Sequence, residues 1–234
     1  MEKIAVVTGG SAGIGEASAR ALAGDGWKVY VAARRIELCE KIAQEIGGVA
    51  VELDVTRQGS VDKLAASLER VDLLVNNAGG AKGLDYLRDA NEDDWRWMYE
   101  TNVFGTVRVT KALYPALLEA SGLVINIGSV AGTDAYKGGS GYNAAKFGLR
   151  GLTRALRREE AENLIRVTEI DPGRVETDFA MNRFGDQARA DAVYEGKLNL
   201  TAEDIAETVR WVASMPAHVN IDTLSIMPLD QAER

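Results

Sequence analysis

Tyr142 and Lys146 stand four residues apart, and Ser129 lies thirteen residues before Tyr142. Side chains four apart on a helix stack on one face, so this spacing would hold an ammonium beside a phenol. A free phenol titrates near ~10, and a neighbouring cation favours the phenolate and lowers that value. Tyr142 could then give and take a proton near neutral pH, while the Ser129 hydroxyl could donate to a developing negative charge. Alone, the Tyr/Lys pair fits a solvated helix surface equally well. Its meaning depends on what the rest of the chain places around it.

Three motifs supply that context. Thr8-Gly9-Gly10-Ser11-Ala12-Gly13-Ile14-Gly15 follows the apolar run Ile4–Val7 and opens a helical pattern. A strand, a glycine turn and a helix start together aim backbone N–H groups and the positive end of a helix at a pyrophosphate, and glycines allow the close approach. The spacing Gly-x-x-x-Gly-x-Gly differs from the general dinucleotide fingerprint Gly-x-Gly-x-x-Gly. The next strand ends in Ala33-Arg34-Arg35. In dinucleotide folds an acid at this place takes the ribose hydroxyls, whereas arginine suits a 2′-phosphate. Two arginines could merely cap a strand end, but Ala33 removes the carboxylate that would repel a phosphate, so the expected cofactor is NADP. Third, Asn76-Asn77-Ala78-Gly79 follows the run Val71–Val75, and suits either close backbone approach to a cofactor or an ordinary turn.

The elements that must position these residues alternate along the chain. Strands are expected at Ile4–Val7, Val29–Ala32, Val49–Leu53, Leu73–Val75, Leu123–Ile127, Ile165–Ile170 and Thr223–Met227. Helical patterns fall near Ile14–Ala23, Ile36–Ile46, Val61–Leu68, Trp95–Leu118, Tyr142–Glu162 and Ala202–Ala213. Near-continuous apolar strands between amphipathic helices indicate an α/β fold, a doubly wound parallel sheet of about seven strands with helices on both faces. Its ligand crevice lies at the strands' carboxyl ends, where every motif above falls. No linker or repeat divides residues 1–234, so one dinucleotide-binding catalytic domain is expected. The charged stretch Arg174–Leu200, with Gly185 and Gly196, reads as a lid.

Composition excludes other classes. The net charge of −8 and pI near 4.9 argue against a nucleic-acid or acidic-membrane partner. Cys39 is the only cysteine, so no internal disulfide forms, and a cytoplasmic setting is expected. There is no basic leader with an apolar core and no run of the ~20 apolar residues a membrane helix needs. With His218 as the only histidine, no ordinary metal site is expected, and His218 itself reads as structural.

Taken together, the Thr8–Gly15 loop, Asp54-Val55, Asn76–Gly79, Asn102, Ser129, Tyr142, Lys146 and Pro172-Gly173 with Thr177 resemble the single-domain short-chain dehydrogenase/reductase family. The tail segments Asn199–Glu207 and Pro216–Asp222 look like its branch of NADP-dependent 3-hydroxy acid and serine dehydrogenases. The resemblance implies hydride transfer between nicotinamide and a carbonyl carbon, with Tyr142 exchanging the proton and Ser129 bonding the oxygen. It implies that Lys146 also binds the nicotinamide ribose and that Asn102 orients a relay water. Asp54 and Val55 would flank the adenine. Pro172, Gly173, Val175 and Thr177 would contact the nicotinamide, beside Asn77, Ala78 and Gly79. The family's pairing of long helices implies a homodimer or homotetramer. One departure stands out: NADP members often carry a basic residue in the glycine loop, where this chain has Ala12.

The expected substrate is a small 3-hydroxy acid such as serine or 3-hydroxypropionate, its carboxylate met by Arg183 or Arg174. A reductase of broader ketones and aldehydes is the alternative, and a dinucleotide sensor without turnover is the remote one. Trp95, Trp97 and Tyr99 read as packing or subunit contact.

Overall fold

The computed structural model describes residues 2–231. Seven strands form one sheet: β1 (Ile4–Thr8), β2 (Lys28–Ala33), β3 (Val49–Glu52), β4 (Leu73–Asn76), β5 (Leu123–Ile127), β6 (Arg166–Pro172) and β7 (Thr223–Ile226). Their spatial order is β3-β2-β1-β4-β5-β6-β7, and every pairing is parallel. The order reverses between β1 and β4, and the two loops leaving these strands diverge there to open a crevice.

Period-2 alternation explains why these segments are strands with both faces dry. Ala5, Val7, Val29, Val31, Leu73, Val75, Leu123 and Ile125 pack into one core layer. Their neighbours Val6, Ala32, Leu74 and Val124 pack into the other. The first layer is closed by α1 (Gly13–Gly24), α2 (Ile36–Ile46) and α9 (Ala202–Ala213). The second is closed by α3 (Gln58–Ala66), α5 (Gly105–Ala120) and α6 (Ser140–Glu159). Thr201 and Asp204 start α9 with a reciprocal capping box, the usual way to satisfy first-turn N–H groups. Helix α1 has no capping side chain at all.

Three segments differ from the sequence reading. The expected helix Trp95–Leu118 is broken into α4 (Glu92–Tyr99) and α5 by a π-helical stretch, Glu100–Phe104, that contains Asn102. A widened turn of this kind shifts side-chain direction, and such turns recur at functional sites. The lid segment Arg174–Leu200, with no helical pattern assigned to it from the sequence, carries α7 (Phe179–Phe184) and α8 (Gln187–Tyr194), with a bridge between Val175 and Leu200 at its base. Strand β6 runs on to Pro172 and so adds Asp171 to Glu169, giving two carboxylates in an inner strand. Among the described residues no helix is long and apolar enough to cross a membrane, and no acid, histidine and cysteine cluster could hold a metal.

Candidate active site

The crevice floor is made by the loop between β1 and α1. Thr8 stands at its root, where its hydroxyl donates to Val75 O and accepts the N–H groups of Asn77 and Ala78, both at 3.0 Å. Asn77 Nδ2 returns to Thr8 O and Gly9 O at 3.1 and 3.3 Å. The two loops are thus stitched to each other, which explains two glycines. Gly9 has φ +66°, a left-handed conformation that other residues enter only at a cost. A Cβ on Gly15 would run into Gly9 O and Asn77 Nδ2. Gly10 lies under Val31 and Ala32, and Gly13 faces Thr177. Ile14, in the first turn of α1, packs into the core layer. Ala12 precedes an uncapped helix, so the first N–H groups of α1 face the crevice without a protein partner.

At the crevice's outer end Arg35 donates through Nε and Nη2 to Ser11 Oγ at 3.2 and 3.1 Å. Arg34 is exposed and, among the described residues, has no hydrogen-bond or ion-pair partner. Asp54 accepts from Thr56 N and Oγ1 at 3.0 and 2.7 Å. Burial works to raise its carboxyl, but the Thr56 bonds outweigh it and hold the group below its ordinary range. Val55 is buried against Gly105, so Asp54 and Val55 form a wall that a flat ring could lie on. Ala78 and Gly79 continue the floor, and Gly79 is pressed against Asn102.

The chemical end is assembled from α6, the β5 connector and the lid. Tyr142 and Lys146 are both buried. Lys146 does not reach the phenol oxygen: its Nζ donates to Ile127 O at 2.9 Å and stands 5.7 Å from the Tyr142 ring centre. Ser129 stands near enough to Tyr142 to draw its phenol down, and its Oγ accepts from Ala131 N at 3.1 Å. The expectation of a lowered phenol value is corrected here. Burial, aided by the Tyr136 phenol, pushes Tyr142 well above the ordinary tyrosine range, while Ser129 and Arg183 pull it only partly back. Lys146 is also displaced, down to about 8, because burial outweighs the attraction of Asp171 and Glu169. A dry site penalises both charged forms, and i,i+4 spacing could not report how dry the site is.

Asn102 is buried, with both side-chain donors committed to Gly80 O at 2.9 Å and Met98 O at 2.7 Å, while its Oδ1 accepts from Gly80 N. Its side chain clamps the loop after β4 and has no donor left for a water. Pro172 ends β6, Gly173 donates to Ile226 O, and Val175 packs on the core beside Leu200. Thr177 accepts from Phe179 N and Tyr194, its methyl facing Gly13. Of the four, Thr177 is the one that meets the glycine loop.

The two candidate carboxylate partners separate clearly. Arg174 is consumed by Asn199, at 2.7 Å, and Asp230, at 2.5 Å. Arg183 instead lies in the site, 5.9 Å from the Tyr142 ring centre, donating to Gly83 O at 2.6 Å and Tyr136 Oη at 2.8 Å. It lines a small cavity with Lys82, Asp94, Trp95, Met98 and Tyr142. Trp95 lines this cavity while also packing, as expected, on the cluster around Met98 and Tyr142. Trp97, beneath Lys82 and against Gly80, and Tyr99, bonded to Ala144 O, pack as well. His218 is exposed. The sequence reading passed over Glu169, Asp171 and Arg150, which meet behind Ser129 and Lys146. The available signal was two acids, two apart, in a strand whose remaining residues include Val167, Ile170 and Pro172.

Comparison with known proteins accords with this geometry. The family model described as short chain dehydrogenase matches residues 3–188. An uncharacterised oxidoreductase of Mycobacterium tuberculosis is 52% identical over 99% of this chain and 93% of its own. An NADP-dependent 3-hydroxy acid dehydrogenase of Salmonella typhi is 41% identical over 98% of this chain and 96% of its own. The solved closed form of a serine dehydrogenase complexed with NADP+ superposes with a TM-score of 0.95 at 40% identity, covering 98% of this chain and 96% of that one. With its fold, crevice and chemical groups laid out on that pattern, the chain belongs to the short-chain dehydrogenase family and is an oxidoreductase acting on CH–OH groups.

Proposed function

We propose that this protein is an NADP-dependent dehydrogenase of small 3-hydroxy acids, of the serine or 3-hydroxypropionate type. The observation that carries the substrate class is Arg183, whose guanidinium stands over the Tyr142 ring in the cavity where a reacting alcohol would sit. A guanidinium offers a planar, two-pronged match to a carboxylate. Relatives named for 3-hydroxy acid and serine substrates support the same reading.

The crevice fits the cofactor. The uncapped start of α1 and the Thr8–Gly15 loop suit its pyrophosphate, and Arg34 and Arg35 suit a 2′-phosphate, with no acid at Ala33. Asp54 and Val55 would flank the adenine. Asn77, Ala78, Gly79, Pro172, Gly173, Val175 and Thr177 would enclose the nicotinamide end, and Lys146 would hold its ribose. NADP+ held there would supply the acceptor for the hydride leaving the alcohol carbon. In the reducing direction the protonated Tyr142 gives its proton to the carbonyl oxygen. In the oxidising direction it must first lose that proton, and the phenolate then takes the hydroxyl proton, while Ser129 donates to the same oxygen as charge shifts on it. Lys146 keeps a positive charge behind the phenol. Asn102 holds Gly80 and so fixes the loop that borders both cofactor and substrate. The exposed Phe104 and Phe147 near the α5 and α6 surfaces suit pairing of two copies.

A substrate panel read by NADPH absorbance tests this. Turnover of 3-hydroxypropionate or serine well above that of their methyl esters is expected. Equal turnover of acids and esters would instead favour a broader ketone or aldehyde reductase.

A further inference from the structure

Behind the crevice, β6 carries two carboxylates that the reaction above leaves unused. Glu169 and Asp171 are 1% and 0% exposed. Lying two apart on a strand they share a face, the one covered by α6. Carboxylates this dry persist only where something compensates them. Arg150 does so for Asp171, donating to its Oδ2 at 2.7 Å, and lies 3.9 Å from Glu169 Oε1. Asp171 Oδ1 accepts the backbone N–H of Ser129 at 3.0 Å. One carboxylate therefore ties the Ser129 backbone to a guanidinium one turn beyond Lys146, on the helix that also bears Tyr142. The connector is held from its other end by Lys146 Nζ on Ile127 O. Gly128 lies between, and a Cβ there would run into Asp171 Oδ1.

We propose that Asp171 is a positioning residue for the dehydrogenase reaction: through Arg150 it fixes Ser129 relative to Tyr142, and it sets a buried negative charge behind Tyr142 and Lys146. The inference rests on the reading that Ser129, Tyr142 and Lys146 carry the chemistry. An anion raises the proton affinity of every group near it, and Asp171 acts in that direction on both Tyr142 and Lys146. The other groups that face them are Glu169 from β6, Arg150 from α6, and Tyr136 and Arg183 on the cavity side of Tyr142. Of these only Arg150 shares the tie between the Ser129 backbone and α6, and it does so through Asp171. Removing the Asp171 charge therefore moves the titrations of Tyr142 and Lys146 the same way, toward lower pH.

The test is the pH profile of kcat for NADP+-dependent oxidation of 3-hydroxypropionate, or of the best alcohol in the panel above, with NADP+ affinity measured separately. Asp171→Asn keeps the shape and an acceptor for Ser129. It should lower the maximal kcat roughly tenfold, as a small misplacement of a reacting group does, and slide both limbs to lower pH by about one unit. NADP+ affinity should stay as in the wild type. A profile lowered but unmoved, or a parallel loss of NADP+ affinity, would mean a purely structural ion pair and overturn the proposal. Should Asp171→Asn fail to fold, Arg150→Gln carries the test. It breaks the tie but keeps the carboxylate, and wild-type kcat in that variant would also overturn the proposal. Tyr142→Phe, assayed alongside, separates the two levels. If it is inactive while Asp171→Asn matches the wild type, this inference alone fails; if it remains active, the underlying reading fails first.

Discussion

Two cations approach the ring of Tyr142, from two different regions, and they are held in opposite ways. Lys146 belongs to the rear wall of β5, β6 and α6. It is 6% exposed, bonded to a main-chain carbonyl, and drawn chiefly by Asp171. Arg183 belongs to the lid of α7 and α8, of which only Ala180 and Ala190 are buried. It reaches the site by bonds to Gly83 O and Tyr136 Oη, contacts that join the lid to the loop after β4 and to the connector between β5 and α6. The rear wall fixes a charge by burying it in a sheet that must form for the protein to fold at all. The lid fixes one through a few polar bonds, which a carboxylate could take over at little cost. A permanent proton-handling group needs the first arrangement, and a substrate-dependent contact needs the second.

The widest break in this comparison comes from the rear wall. Tyr142→Phe should remove the ~10²–10⁴-fold that positioned acid–base groups contribute, with NADP+ affinity little changed, as read by kcat and a binding titration. Residual turnover above about one tenth of wild type would contradict proton transfer by Tyr142. Next in size, replacing Arg34 and Arg35 together with alanine should weaken NADPH binding roughly a hundredfold while NADH is nearly unaffected, since two charge-assisted contacts are lost. Equal weakening of both cofactors would make these arginines general electrostatic residues.

On the lid, Arg183→Met should lower kcat/KM for a hydroxy acid roughly ten- to a hundredfold and leave a neutral alcohol of similar size nearly unaffected. Because Arg183 also joins the lid to Gly83, equal losses on both substrates would assign it to lid folding instead.

The smallest expected effect concerns stability of the cofactor-free protein. Burial, with Asp171 beside it, raises Glu169 to about 8 from an ordinary 4.5. The folded state therefore holds a proton that the unfolded chain has released between these values. Stability contributed in this way is present below pH ~4.5 and is lost as pH rises toward ~8. Glu169→Gln should flatten that decline in Tm and exceed the wild type at pH 8. An unchanged slope would place the ionisation elsewhere in the cluster.

Much of this was legible in the residues. Alternating apolar runs announce a two-sided sheet because the strand period is fixed at two, and Val6 and Val7 indeed divide between the two core layers. The crevice motifs were legible because glycines and a strand end leave few options: Gly9 needs its positive φ, and Gly15 has no room for a Cβ. The break at Asn102 was hidden, since Trp95–Leu118 keeps helical composition through the widened turn and only the clamp on Gly80 shows why the turn is there. The roles of Arg174 and Arg183 were equally open in the sequence. Both lie in the same charged stretch, and only folding brings Asp230 to the first and Tyr136 to the second.

What the sequence by itself determined was which groups meet along one element: Tyr142 above Lys146, glycines at a strand end, arginines where an acid would otherwise stand. These follow from periodicity and backbone sterics, which act within a few residues. What only the tertiary structure decided was the charge state those groups would favour and who shares it with them. Asp171 and Arg150 are twenty-one residues apart in the chain, and the dryness that displaces Tyr142 and Lys146 is supplied by the strands and lid packed around them. Electrostatic free energy depends on distance and solvent exclusion in three dimensions, and neither is encoded in local spacing.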